Sequence, residues 1–255
     1  MNPVVITRPA AQAEALALRL SASGCPVRLF PLLEIQPLAD TTELSTTLAK
    51  LSDYAMVAFV SPNAIDAVFA HLTNWPNNLI AAVVGEGSRL ALARHGVTDV
   101  NATIISPSDK QRTDSETLLL ELDLDALRGK KVLIVRAESG RELLADQLRA
   151  AGVYVEQIVA YQRLAPTLDE ARLVALRALL AEQNDWIITS SEALRLLKQM
   201  VEQAYPTVGW QHMQNKTLII PHPRIAETAN ELGFTHTILC GSGDEALLGT
   251  IQSRT

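Results

Sequence analysis

From Val132 to Leu164 the chain runs through an apolar stretch, a polar turn, apolar residues at helical spacing, a glycine and a second apolar stretch. The same order occupies Val4 to Gln36, 128 residues earlier. Aligned without a gap, Ile6 falls on Ile134, Arg8 on Arg136, Leu16 on Leu144, Leu20 on Leu148, Gly24 on Gly152 and Val27 on Val155. Apolar side chains three and four apart share one helix face, and a glycine directly after them suits the left-handed residue that closes a helix. Each copy therefore predicts strand, helix, strand, and hence a parallel pair. The second strand, Val27 to Pro37 or Val155 to Ala165, is predicted at about twice the usual ~5–6 residues. A strand of that length can leave its own sheet.

The pattern continues in both halves. Tyr54 to Val60 predicts a buried strand ending in Ser61, Pro62 and Asn63, with a helix starting at the proline. Its counterpart is Trp186 to Thr189, ending in Ser190 and Ser191. Leu79 to Val84 runs into Gly85, Glu86, Gly87 and Ser88, and Thr217 to Ile220 runs into Pro221, His222, Pro223 and Arg224. Asn101 to Ile105 and His236 to Cys240 complete the correspondence. Two such halves predict an α/β protein with an internal repeat and two similar parallel-sheet domains of flavodoxin-like, three-layer α/β/α form. Open sheets of this kind bind ligands at the carboxyl ends of their strands. Those ends hold Thr7, Arg8, Ser61, Asn63, Gly85, Gly87, Ser88, Arg136, Ser139, Ser190, Ser191, His222 and Arg224, with Ser106, Lys110 and Arg112 beyond the strand at Ile105. Hydroxyls and bare amides at helix starts cradle anions, although any one of them equally serves as an ordinary helix cap.

Composition narrows the function. At 255 residues the length fits about two domains, and 48% apolar with 4% aromatic residues describes an ordinary α/β chain. A net charge of −6 argues against nucleic acid or an acidic membrane as the main partner, since both need a basic face, so an anionic ligand must be held by a local cluster. Cys25 and Cys240 are too few for a disulfide scaffold or a metal site and are expected to be buried thiols. No apolar run approaches the ~18 residues of a membrane span, and a strand begins by residue 4, so a cytoplasmic protein is expected.

Other chemistries find little support. Gly85 and Gly87 after a strand suggest a dinucleotide loop, but the third glycine would fall at Leu90. The histidines at 71, 95, 212, 222 and 236 have no metal-ligand spacing, and no serine elbow, Cys–His pair or phosphate loop occurs. By residues alone, two readings stay open beside an enzyme of the anion-friendly edge: a non-enzymatic two-domain binder of a small polyanion, and an oxidoreductase using the Gly85 loop.

Taken together, Ile6-Thr7-Arg8-Pro9, Val60 to Ala64, Val84 to Ser88, Asp114-Ser115-Glu116, Val159 to Gln162, Thr189-Ser190-Ser191 and His222 to Ala226 resemble, in order and spacing, the uroporphyrinogen-III synthase family. The resemblance spans the whole chain. It implies a discontinuous first domain, 1–34 with 167–255, a second domain, 39–158, and linker strands at 35–38 and 159–166. It implies a monomer with no cofactor and no metal, acting in haem biosynthesis on the linear tetrapyrrole hydroxymethylbilane.

In that family's reaction, loss of the ring A hydroxyl gives a cationic azafulvene, ring D attacks through its substituted carbon, and the spiro intermediate fragments and recloses with ring D inverted. Without the enzyme the symmetrical type I isomer forms. The protein's task is then positioning, a proton for the departing hydroxyl and exclusion of water. Substrate carboxylates would meet amides, hydroxyls and some of Arg8, Arg89, Arg136, Lys110, Arg112 and Arg224. Tyr161 matches the family's tyrosine on the second linker strand, which implies a general acid there. From the spacing alone, a tyrosine packing at a domain edge is the better reading, and the resemblance reverses that order.

Overall fold

The computed structural model describes residues 2–109, 114–207 and 209–254. The first elements are β1 (Val4–Ile6), α1 (Ala10–Ala22), β2 (Val27–Leu29), β3 (Glu34–Pro37), α2 (Thr42–Leu48), β4 (Met56–Phe59), α3 (Pro62–Phe69), β5 (Ile80–Val83), α4 (Glu86–Arg94), β6 (Ile104–Ile105) and α5 (Ser115–Glu121). They are followed by α6 (Leu124–Leu127), β7 (Lys131–Ala137), α7 (Leu143–Ala150), β8 (Tyr154–Leu164), α8 (Glu170–Ala181) and β9 (Asp185–Ile187). The chain closes with α9 (Ser191–Ala204), α10 (Gly209–Gln214), β10 (Thr217–Ile220), α11 (Pro223–Glu231), β11 (Thr237–Leu239) and α12 (Asp244–Gln252). It divides into two compact units, one of residues up to Glu34 and from Leu164 onward, the other of Ile35–Arg163.

In the first unit the sheet order is β11-β10-β9-β1-β2, every pair parallel. Its strands read as short apolar runs because both faces are covered. On one face Val5, Trp186, Ile188, Leu218 and Ile220 pack with α8, α9 and α11. On the other, Val4, Ile6, Ile187 and Ile219 pack with Leu16 and Leu20 of α1 and Leu247 and Ile251 of α12.

In the second unit the order is β3-β8-β7-β4-β5-β6, and the ladders from β8 through β6 are parallel. Val57, Phe59, Val83, Leu133 and Val135 meet α2, α3 and α4 on one face. Met56, Ala82, Val132 and Ile134 meet α5, α6 and α7 on the other. Read from β2 to β11 and from β8 to β6, the two units have the same strand order.

The strand-helix-strand segments share local detail. Val4 pairs with Val27 and Val132 with Val155. Gly24 and Gly152 close α1 and α7 at φ of +81° and +83°, where a side chain would be strained. One expectation is corrected. The single strand over Val27 to Pro37 is broken between Leu29 and Glu34, and its two parts lie in different sheets. Phe30 donates to the carbonyl of Ile6 and Leu32 to that of Thr7, so the donor advances two residues while the acceptor advances one, and a parallel ladder cannot continue. Pro31 lies between them with no N–H to repair it. The other copy has no proline before Pro166 and runs unbroken as β8, 11 residues long.

Candidate active site

Parallel strands place their carboxyl ends on one edge of each sheet, so the polar residues after them share that edge. In the first unit this edge carries Thr7 and Arg8 after β1, Ser190 and Ser191 after β9, and His222 and Arg224 after β10, three strands adjacent in the sheet. Most of these groups already have work inside the unit. Thr7 is 2% exposed and its hydroxyl donates to the carbonyl of Ile187 at 2.7 Å, tying β1 to β9. Ser190 caps α9 by accepting from the Ala193 amide at 3.0 Å. Ser191 accepts from the Thr228 hydroxyl at 2.9 Å, which links the start of α9 to α11. His222 caps α11, its Nδ1 accepting from the Arg224 amide at 3.2 Å, so Nδ1 carries no proton in this arrangement.

The two cations of this edge differ. The Arg8 guanidinium is ion-paired to Asp244 in the first turn of α12. Arg224 is exposed, and among the described residues its guanidinium makes no ion pair. Cys240, at the end of β11, is half-buried rather than buried as expected, and desolvation pushes its thiol up to about 11. A thiol so shifted stays protonated and is a poor nucleophile near neutrality.

In the second unit the edge carries Ser61 and Asn63 after β4, Gly85, Gly87 and Ser88 after β5, Arg136 and Ser139 at the end of β7, and Tyr161 on β8. Arg136 is 9% exposed and closes a triangle. It pairs with Glu142 and donates to Gln157 Oε1 at 2.7 Å, while Gln157 Nε2 donates to Glu142 at 2.7 Å. Hydrogen bonds from Arg136 and then Gln157 hold the Glu142 carboxyl below its ordinary value. A Cβ on Gly140 would approach Arg136 Nη2 to 3.1 Å, so a side chain there would crowd the guanidinium. Ser139 accepts from Arg163 Nη2 through its hydroxyl at 3.1 Å and its carbonyl at 2.9 Å.

Gly85 has φ of 169°, an extended conformation open to any residue, and a Cβ on Gly87 would meet only Pro62 Cγ at 3.7 Å, an ordinary contact. Neither glycine is required by the backbone, unlike the glycines of a dinucleotide loop. Ser88 is buried. Arg89 is ion-paired with Asp99, and Lys110 and Arg112 lie outside the described residues.

Tyr161 is 5% exposed, with its ring in the core face that holds Phe59, Ala137, Ile158 and Ala160. Its hydroxyl lies 2.9 Å from Ser61 Oγ, and Ser61 caps α3 by accepting from the Ala64 amide at 3.1 Å. Sequence reading named both residues without pairing them. It also missed Asp244, Glu142, Gln157 and Thr228, the partners that occupy the polar edge. Asp244 and Glu142 do carry one signal, an acidic residue at a helix start, but nothing local points from there to Arg8 or Arg136.

Comparison with known proteins gives one consistent answer. Residues 14–242 match the family described as uroporphyrinogen-III synthase HemD. The chain is 31% identical over 254 residues to the uroporphyrinogen-III synthase of Escherichia coli, covering 98% of this chain and 99% of that one. It is 33% identical over 254 residues to that of Salmonella typhimurium, with the same coverage. Its fold is similar to the uroporphyrinogen-III synthetase of Helicobacter pylori, at a TM-score of 0.64 and 19% identity with 100% of both chains covered. It is also similar to a mutant uroporphyrinogen III synthase from Thermus thermophilus, at a TM-score of 0.61 and 13% identity, covering 100% of this chain and 99% of that one.

Proposed function

Because the chain belongs to the uroporphyrinogen-III synthase family, we propose that it is the cyclising lyase of haem biosynthesis, converting hydroxymethylbilane to uroporphyrinogen III with inversion of ring D and loss of water. The observation that carries this reading is similarity along nearly the full length of two curated synthases.

The protein contributes position and one proton. Tyr161 supplies a proton to the ring A hydroxyl as it leaves, a step that needs a donor held within hydrogen-bond reach. The azafulvene so formed is cationic, and exclusion of water preserves it until ring D attacks. The proposed substrate contacts are Thr7, Arg8, Ser190, Ser191, His222 and Arg224 in the first unit. In the second they are Asn63, Gly85, Gly87, Ser88, Arg136 and Ser139, with Ser61, expected among them, set apart by its contact with Tyr161. Arg224, exposed and without an ion pair among the described residues, is the cation best placed to take a substrate carboxylate. Arg8 and Arg136 must exchange a protein carboxylate for a substrate one.

The finer architecture belongs to the same reading. The domains are 1–34 with 167–255 and 39–158, and the shared strand order of the two units supports an internal repeat whose halves do not coincide with them. Residues 35–38 and 159–166 are linker strands, and the protein works as a cytoplasmic monomer. Among the described residues no helix is long and apolar enough to cross a membrane.

The test is the isomer ratio formed from fresh hydroxymethylbilane. The synthase yields type III faster than the spontaneous reaction yields type I. A polyanion binder would bind the bilane and leave type I as the product, and that outcome would overturn the reading.

A further inference from the structure

Tyr161 reaches Ser61 only because β8 is irregular. From Lys131↔Tyr154 to Arg136↔Val159 the β7–β8 register advances one residue at a time, but the next pair is Ala137↔Tyr161. Ala160 is the extra residue, a bulge of a kind that is rare in parallel ladders and tends to re-aim side chains beside functional sites. Side chains alternate along a strand, so unbroken register would put Tyr161 on the face of Val159 and Gln157, where Arg136 binds Gln157. The bulge moves Tyr161 to the opposite face, beside Ile158 and Ala160, and its hydroxyl meets Ser61 there.

Ser61 is not a neutral neighbour. Its Oγ already accepts the Ala64 amide at the start of α3. That donation draws electron density from the oxygen and strengthens the serine proton as a donor, as neighbours in a hydrogen-bond chain do. With Ser61 as the donor of that pair, a chain from the Ala64 N–H to Ser61 Oγ–H to the Tyr161 hydroxyl fills a phenol lone pair and leaves the phenol proton pointing away from Ser61.

We infer that Ser61 is a positioning residue for Tyr161, orienting the phenol proton for the departing hydroxyl, rather than a substrate contact. The inference rests on the synthase reading and on Tyr161 as its proton donor.

Four variants test it: Ser61→Ala, Ser61→Thr, Tyr161→Phe and the double variant Ser61→Ala/Tyr161→Phe. Each is assayed with hydroxymethylbilane for kcat, KM and isomer ratio, alongside Tm. A residue acting through the phenol loses its effect when the phenol is gone. Ser61→Ala should therefore lower kcat roughly tenfold, the scale of one hydrogen bond, with KM within about twofold of the parent. Ser61→Thr should restore kcat, and the double variant should match Tyr161→Phe.

Three results would overturn the inference. A Ser61→Ala defect that falls on KM, or persists in the double variant, makes Ser61 a substrate contact. A lowered Tm with unchanged kcat leaves it a helix cap. Parent activity in Tyr161→Phe removes the group that Ser61 would serve. Failure of the synthase reading is recognised separately, because the unsubstituted chain then gives no type III product.

Discussion

The two units arrange the same strand order around different polar contacts. After β1 of the first unit, the Thr7 proton is committed to a backbone carbonyl, and Arg8 is held by a carboxylate 236 residues away. In the second unit the cation at the end of β7, Arg136, is held by Glu142 and Gln157. Its edge also carries a hydroxyl pair, Ser61 and Tyr161, in which either oxygen can donate. A carbonyl cannot give a proton back, whereas a phenol against a serine can change partner. On the proposed reading, proton chemistry falls to the second unit and carboxylate binding chiefly to the first, where Arg224 is exposed.

The sharpest way to break this comparison is a conservative loss of one hydroxyl in each unit. Tyr161→Phe should keep the fold and lower kcat by ~10²- to 10⁴-fold, with type I product accumulating from the spontaneous reaction. Thr7→Val should lower activity by less than about tenfold and cost about 0.5–1.5 kcal/mol of stability. Comparable kinetic losses in the two variants would erase the division of labour.

The cores give the next largest contrast. Trp186 is fully buried, stands edge-on to Phe30 and donates to Asn184 Oδ1 at 2.7 Å, so Trp186→Ala opens a cavity and also takes the indole donor from a buried amide oxygen. Phe59 is equally buried but leaves no hydrogen bond behind. Each should cost ~3–5 kcal/mol, with Trp186→Ala at the upper end, measured by urea unfolding. Phe59→Ala proving the more damaging would reverse that ranking.

Smaller effects separate the cations. Arg224→Ala should raise KM by roughly ten- to a hundredfold with little change in kcat, because a carboxylate clamp acts in ground and transition states alike. Arg224→Ala with an unchanged KM would remove it from the site.

The smallest effect is acid dependence. The folded-state Glu142 carboxyl is held below its unfolded value. Its contribution is therefore present above the ordinary carboxylate value of ~4.3 and lost as pH falls through the depressed one. Glu142→Gln should flatten the fall of the urea midpoint below about pH 4.3 and leave its slope near neutrality unchanged. An unaltered acid limb would mean the triangle around Arg136 adds no pH-dependent stability.

Much of the architecture is written locally. Helix-spaced leucines, the closing glycines at 24 and 152, and short apolar runs specify strand-helix-strand units whose pairs, Val4 with Val27 and Val132 with Val155, fall at matching positions. These signals involve residues within a few positions of one another, so a single chain displays them. The hydroxyls, glycines and cations after those strands were legible for the same reason, as was the family.

Two decisions belonged to the tertiary structure alone. The long first-copy strand breaks where the acceptors of Phe30 and Leu32 fall out of step, and Pro31 marks the place without announcing the change of sheet. Tyr161 faces Ser61 because one inserted residue, Ala160, reverses the strand's alternation. Register is set by which backbone groups meet across a sheet, and a shift of one residue exchanges every face beyond it. Long-range partners follow the same rule: Asp244 finds Arg8 only after four strands have been laid side by side.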